Sequence, residues 1–105
     1  MHPLDLSPRI IQQFLVLVQE KHFGRAADRL GISQPSLSQA INRLERSVGF
    51  ILLKRTSRSV ELTPAGAAFA HDMQILADAQ NQAVTRGRRI AAGDEGELQL
   101  GTTGS

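Results

Sequence analysis

The stretch FGRAADRLGISQPSLSQAINRLE, residues 23–45, leaves the chain few ways to fold. Two segments with helical spacing of apolar residues meet across Gly31-Ile32-Ser33, with no room for a loop. Ala26, Ala27 and Leu30 share one face of the first segment, and Leu37, Ile41 and Leu44 share one face of the second. Gly31 tolerates the left-handed conformation common just past a helix end. Ser33 is a capping residue, and Pro35 falls in the first turn, where a missing N–H costs little. The spacing predicts helices over 24–30 and 34–47, set at a steep angle by a glycine-bearing turn. An ordinary helical hairpin in a bundle satisfies the same pattern, so the outer surface has to distinguish the two.

That surface is read by advancing about 100° per residue from Leu37. Ile41, Leu44 and Val48 cluster towards the core. Pro35, Gln39, Asn42, Arg43 and Arg46 point away, with Ser36 and Ser38 on the flanks. Glu45 falls towards the packed side, so the outer face carries no carboxylate. Gln and Asn make bidentate bonds to adenine, and small or apolar groups touch a thymine methyl. A merely soluble helix face would be expected to use more Glu, Lys and Ala.

The flanking segments complete a mainly α fold. Ser7-Pro8 reads as cap and first helical position, opening a helix over 8–21 with Ile10, Ile11, Phe14, Leu15, Leu17 and Val18 on its apolar face. After Gly49, Leu52 and Leu53 lead into Lys54-Arg55, a turn at Thr56-Ser57-Arg58-Ser59, and the alternating Val60-Glu61-Leu62. This reads as a two-stranded β hairpin with a basic tip, placed as a wing would be after a reading helix. Arg in a wing can enter a narrow A·T-rich minor groove, where negative potential is enhanced.

Thr63-Pro64 repeats the cap signal and opens a long helix over 64–92. Phe69, Met73, Leu76, Gln80, Ala83, Gly87 and Ile90 recur in alternating steps of four and three, a heptad-like stripe. Residues 1–63 can cover only its first turns, so the stripe implies a homodimer in which two reading heads meet two half-sites. The dimer residues expected are Phe69, Met73, Leu76, Gln80, Ala83 and Ile90, with parallel and antiparallel pairing both open. GDEG at 93–96 breaks the helix, and ELQLG at 97–101 alternates like a strand. Three parts are thus expected: 1–63, a winged helix-turn-helix; 64–92, a dimerisation helix; and 93–105, a hinge and a strand-like segment with no visible partner.

Composition narrows function by exclusion and by charge placement. Residues 1–63 hold nine Lys/Arg against five Asp/Glu, while 64–105 hold three against five. The basic excess therefore lies with the reading helix and wing, where a polyanion would be attracted. The 105 residues contain no Cys, which removes thiolate metal sites and fits a reducing cytoplasm. His2, His22 and His71 are far apart in sequence, with no nucleophile–base pair, metal-ligand spacing or phosphate-binding glycine loop. We therefore expect no enzyme, no cofactor and no metal. No secretory leader or membrane span is suggested by the pattern, so a cytoplasmic, nucleoid-associated protein is expected. A protein–protein module on the same fold is disfavoured, because the outer face offers hydrogen-bonding groups rather than a large apolar patch.

Over residues 8–66 the chain resembles the LysR-type transcriptional regulators. The motifs that carry the likeness are AADRL followed by ISQPSLS, the LE, G, LL and R of the segment 44–55, and LT-AG at 62–66. The resemblance implies a winged helix-turn-helix whose third helix enters the major groove of double-stranded DNA. By position in the motif, Gln34, Pro35, Ser38 and Gln39 are base-proximal, and Asn42 joins them from the outward face. Ser33, Ser36 and Arg43 would hold phosphates, together with Arg46 and Lys54. Arg58 would be the minor-groove residue, with Arg55 beside it or packed structurally. The long helix is similar to the family's linker helix, which dimerises. Residues 96–105 are similar to the start of its effector-binding domain, so a small-molecule effector and higher oligomers belong to a longer protein. Many members carry Arg where Gln39 stands, which should shift recognition from guanine towards adenine and reduce the salt slope. Winged-helix regulators of other families remain the nearest alternative.

Overall fold

The structure is a computed structural model and describes residues 6–56 and 59–93. Helix α1 spans Pro8–Glu20, α2 Phe23–Leu30, α3 Gln34–Val48 and α4 Pro64–Ala91, with strands β1, Leu53–Arg55, and β2, Val60–Leu62, between the last two helices. The helix ends follow local chemistry. Ser7 Oγ accepts from the Ile10 N–H at 3.3 Å and Ser33 Oγ from the Ser36 N–H at 3.1 Å, each satisfying a donor that has no intrahelical partner. Gly31 closes α2 in the left-handed region, at φ 71°.

Four helix ends differ by one residue from the sequence expectation: α3 runs on to Val48, α4 stops at Ala91, and the two ends at the α1–α2 junction have specific local causes. Helix α1 stops at Glu20 because Lys21 itself adopts φ 57° and returns its N–H to the Leu17 carbonyl at 2.8 Å. Helix α2 starts at Phe23, a residue early, because His22 caps it: its Nδ1 accepts from the Arg25 N–H at 3.1 Å. Imidazole is not among the usual capping groups, so the pattern gave no signal there.

The core of the first unit is Phe14, Leu17, Leu37, Ile41, Leu44 and Leu52, all fully buried, with Ala26 and Ala27 at the α2–α3 corner. Small side chains at that corner let the two helices approach closely. Val16, absent from the expected apolar face, is also buried. Burying aliphatic and aromatic side chains of this size contributes about 1.5–3 kcal/mol each. An ion-pair cluster joins α1 to α2, with Glu20 facing Arg29 at 3.2 Å and Arg25 at 3.7 Å.

Strands β1 and β2 pair antiparallel with Leu53 opposite Leu62, Lys54 opposite Glu61 and Arg55 opposite Val60. Leu53 and Val60 are buried while Lys54 and Glu61 face solvent, the alternation a half-buried ribbon requires. Thr56 closes the inner end of the turn, where its N–H donates to the Ser59 carbonyl at 3.0 Å.

The chain divides after Met73 into two units. The first extends past the expected boundary at 63 because α4 begins inside it. Thr63 Oγ1 donates to the Ile51 carbonyl at 2.7 Å and accepts from the Gly66 N–H at 2.9 Å, tying the start of α4 to the strand entry. Gly66 packs against the Leu52 carbonyl so tightly that a Cβ there would overlap the oxygen. The Phe69 ring lies tilted 5.7 Å from Phe14 and edge-on 6.0 Å from Phe50, ring centre to ring centre. Phe69, expected in the dimer seam, thus has its partners inside its own unit. In the second unit Ile75, Leu76, Val84 and Ile90 are each about half exposed, at 55%, 57%, 50% and 49%. The expected strand at 97–101 and the further domain start lie outside the described residues.

Candidate nucleic-acid interface

Helix α3 is amphipathic in the sense the sequence predicts. Leu37, Ala40, Ile41 and Leu44 are buried, while Gln34, Pro35, Ser36, Gln39, Asn42, Arg43 and Arg46 are exposed and Ser38 is half-buried. The single carboxylate, Glu45, turns away from this surface. Its Oε2 accepts from the backbone N–H groups of Leu52 at 2.8 Å and Leu53 at 3.3 Å. Two donors at the entry to β1 would otherwise have no partner near a buried pair of leucines, so the carboxylate fixes the wing to α3. The outer face is left without an outward negative charge.

The expected contacts fall into three groups. Ser33 and Ser36 sit together at the α3 N-terminus, where Ser33 Oγ donates to Ser36 Oγ at 2.8 Å. The Ser36 hydroxyl proton is thus not used by Ser33, and Ser36 is exposed beside a helix end that favours anions. Gln39 and Arg43 line a groove of about 220 Å³ with Ser36 and Ala40 of α3 and Ser7, Arg9, Ile10 and Gln13. Lys54, on the exposed side of β1, and Arg46 stand outside that groove. Arg58 lies outside the described residues.

Arg55 departs from the plain wing expectation. Its Nη1 donates to Ser38 Oγ at 3.2 Å and its Nη2 to Asn42 Oδ1 at 2.9 Å, while the guanidinium lies over the Phe23 ring at 4.9 Å. It therefore packs structurally against α3 and α2, the second of the two roles the resemblance allowed. Asn42 is exposed but has one hydrogen-bonding atom committed within the chain.

Arg9 and Gln13 are residues that sequence reasoning missed. They are four apart on α1, so they share a face. A signal was present: an arginine in the first turn of a helix opposes the helix dipole, and α1 has no first-turn acid to offset it. A cation tolerated there has a use elsewhere, and it faces the same groove as Arg43.

Three helices with a two-stranded ribbon fixed behind the third define a winged helix-turn-helix unit. Residues 8–67 match the model of the bacterial regulatory helix-turn-helix protein, lysR family, and the chain belongs to that family. The HTH-type transcriptional regulator BudR of Klebsiella aerogenes is 46% identical over 97 residues, which is 92% of this chain and 68% of BudR. YnfL of Escherichia coli (strain K12), an uncharacterized HTH-type transcriptional regulator, is 44% identical over 102 residues, 97% of this chain and 34% of YnfL. The chain thus spans about a third of the length of YnfL. Among solved structures, the crystal structure of the BenM DBD/catB site 1 DNA complex superposes with a TM-score of 0.83 at 38% identity, covering 89% of this chain and 100% of that one.

Proposed function

We propose that the chain is the DNA-reading part of a transcription regulator. It binds double-stranded DNA sequence-specifically, with α3 in the major groove and the β1–β2 wing towards the minor groove. The observation that carries this is the outer face of α3, a continuous set of hydrogen-bonding and cationic groups with its one carboxylate consumed by backbone donors. That a structurally similar domain is solved in complex with DNA supports DNA binding by this one. Gln34, Pro35, Ser38, Gln39 and Asn42 face base edges. Ser36, Arg43, Arg46 and Lys54 hold phosphates, Ser33 shapes the helix end that does so, and Arg9 and Gln13 extend the phosphate track along α1. Arg58 is the minor-groove residue.

The second unit supports a homodimer. Leu76 and Ile90 leave a large apolar surface exposed on one helix, and such a stripe needs a partner. Gln80 and Ala83 lie between them at the same spacing. A second copy is the occupant that would place two α3 helices on two half-sites. Selection of bound sequences from a random DNA pool tests both parts at once. An enriched inverted repeat, with half-sites separated by about one helical turn or a multiple, is the expected result. Recovery of unenriched sequence would overturn base reading, and enrichment of single unrepeated half-sites would overturn the dimer.

A further inference from the structure

A guanidinium carries five N–H donors and no acceptor. Whichever atom of Asn42 meets Arg55 must therefore be its oxygen, and the structure has Oδ1 there at 2.9 Å. The Asn42 amide nitrogen is then turned to the opposite side. An exposed asparagine with no such neighbour rotates its amide to match either a donor or an acceptor. Ser38 is constrained in the same way: its Oγ accepts from Arg55 at 3.2 Å, so its hydroxyl proton points elsewhere. The Phe23 ring beneath the guanidinium holds it in place, so three elements meet on one side chain.

We propose that Arg55 is a positioning residue that sets the hydrogen-bonding sense of Asn42 and Ser38, so that the wing and the reading helix specify one base pair together. The proposal rests on the reading of α3 as the base-contacting helix. Asn42 then offers its amide donor outward, and the Ser38 hydroxyl proton is available only to an acceptor other than Arg55. Guanine N7 and O6, adenine N7 and thymine O4 accept such bonds in the major groove, whereas cytosine presents only its N4 amino donor. Cytosine is the base rejected at this position. The arrangement depends on residue 42 being asparagine, whose acceptor can meet a guanidinium.

The test is competition binding on the selected site, with each base pair varied in turn. Arg55→Met should reduce discrimination at one base pair by about tenfold, leave the other positions as selective as before, and leave the salt dependence unchanged. Adding Asn42→Ala to Arg55→Met should cause no further loss at that base pair. Arg55→Lys keeps the charge but not the two-pronged geometry, and should behave like Arg55→Met rather than like the parent. Asn42→Asp keeps an oxygen towards Arg55 and replaces the outward donor by an acceptor, so preference at that base pair should move towards cytosine. Equal weakening on every sequence by Arg55→Met, with the salt slope shallower by about one, would overturn the proposal and make Arg55 a direct phosphate contact. Should circular dichroism show Arg55→Met unfolded, Asn42→Asp decides alone, and an unchanged base preference in it overturns the proposal. A parent chain that selects no sequence removes the base-reading premise instead, which the pool selection detects before any variant is made.

Discussion

Gly66 separates two opposing effects of a single methyl group. Within a helix, glycine to alanine is worth about 1 kcal/mol of stabilisation. At Gly66, however, the new Cβ would overlap the Leu52 carbonyl oxygen and stand 2.9 Å and 3.0 Å from the Leu52 carbonyl carbon and Cα. These are backbone atoms and cannot rotate aside. Leu52 is fully buried, its N–H is held by Glu45 at 2.8 Å, and its carbonyl accepts from the Thr63 N–H at 3.0 Å. Relief therefore requires the first turn of α4 to move off the strand entry. Overpacking a fixed site costs about 1–3 kcal/mol, and weakening one hydrogen bond adds about 1 kcal/mol. Taking the upper part of that range and subtracting the helix gain, Gly66→Ala should destabilise by about 3 kcal/mol. For a domain of this size that lowers the melting temperature by about 12–24 °C. Gly87→Ala is the matched comparison, because it lies in the same helix with nothing within 4 Å of the added Cβ. It should raise helicity and stability slightly. Thermal and urea unfolding followed by circular dichroism, at two protein concentrations to separate pairing from propensity, measures both. A Gly66→Ala variant melting within a few degrees of the parent would refute the packing argument.

Four further outcomes are expected. Gln39→Ala should cost about 1–3 kcal/mol on the selected site and relax selectivity at one position; a gel-shift series with equal loss on random DNA would sink its base-reading role. Arg9→Ala should weaken binding to all sequences alike and reduce the salt slope by about one, and an unchanged slope would remove Arg9 from the phosphate track. Glu45→Ala should destabilise the domain by about 1–3 kcal/mol by leaving two backbone donors without their partner, with Glu45→Gln recovering part of the loss in urea unfolding; equal stability of all three proteins would falsify the bridging role. Leu76→Asp should yield monomers in sedimentation and lower DNA affinity together, and a variant that stays dimeric would refute the seam.

Helix boundaries were legible because their causes are local. Ser7-Pro8, Gly31, Ser33, Gly49 and Thr63-Pro64 each act within a few residues of themselves. The outer face of α3 was legible for the same reason, since periodicity alone separates Leu37, Ile41 and Leu44 from Gln39, Asn42 and Arg43. What the pattern could not carry is contact across elements. Arg55 reads as one more wing cation until Asn42, Ser38 and Phe23 are brought to it from two other helices. Phe69 fits a heptad stripe equally well whether its partner is a second chain or, as here, Phe14 and Phe50. Arg9 and Gln13 gain meaning only once α1 lies beside α3.

The Glu45 bridge divides α3 into frame and alphabet. Leu37, Ile41, Leu44 and Glu45 keep the helix seated and the wing attached, whatever sequence is read. The exposed positions between them are free to change without disturbing that seat. A scheme to redirect such a domain to a new operator should therefore randomise 34, 35, 39 and 43, hold the frame constant, and carry position 55 along with 38 and 42 as a single letter.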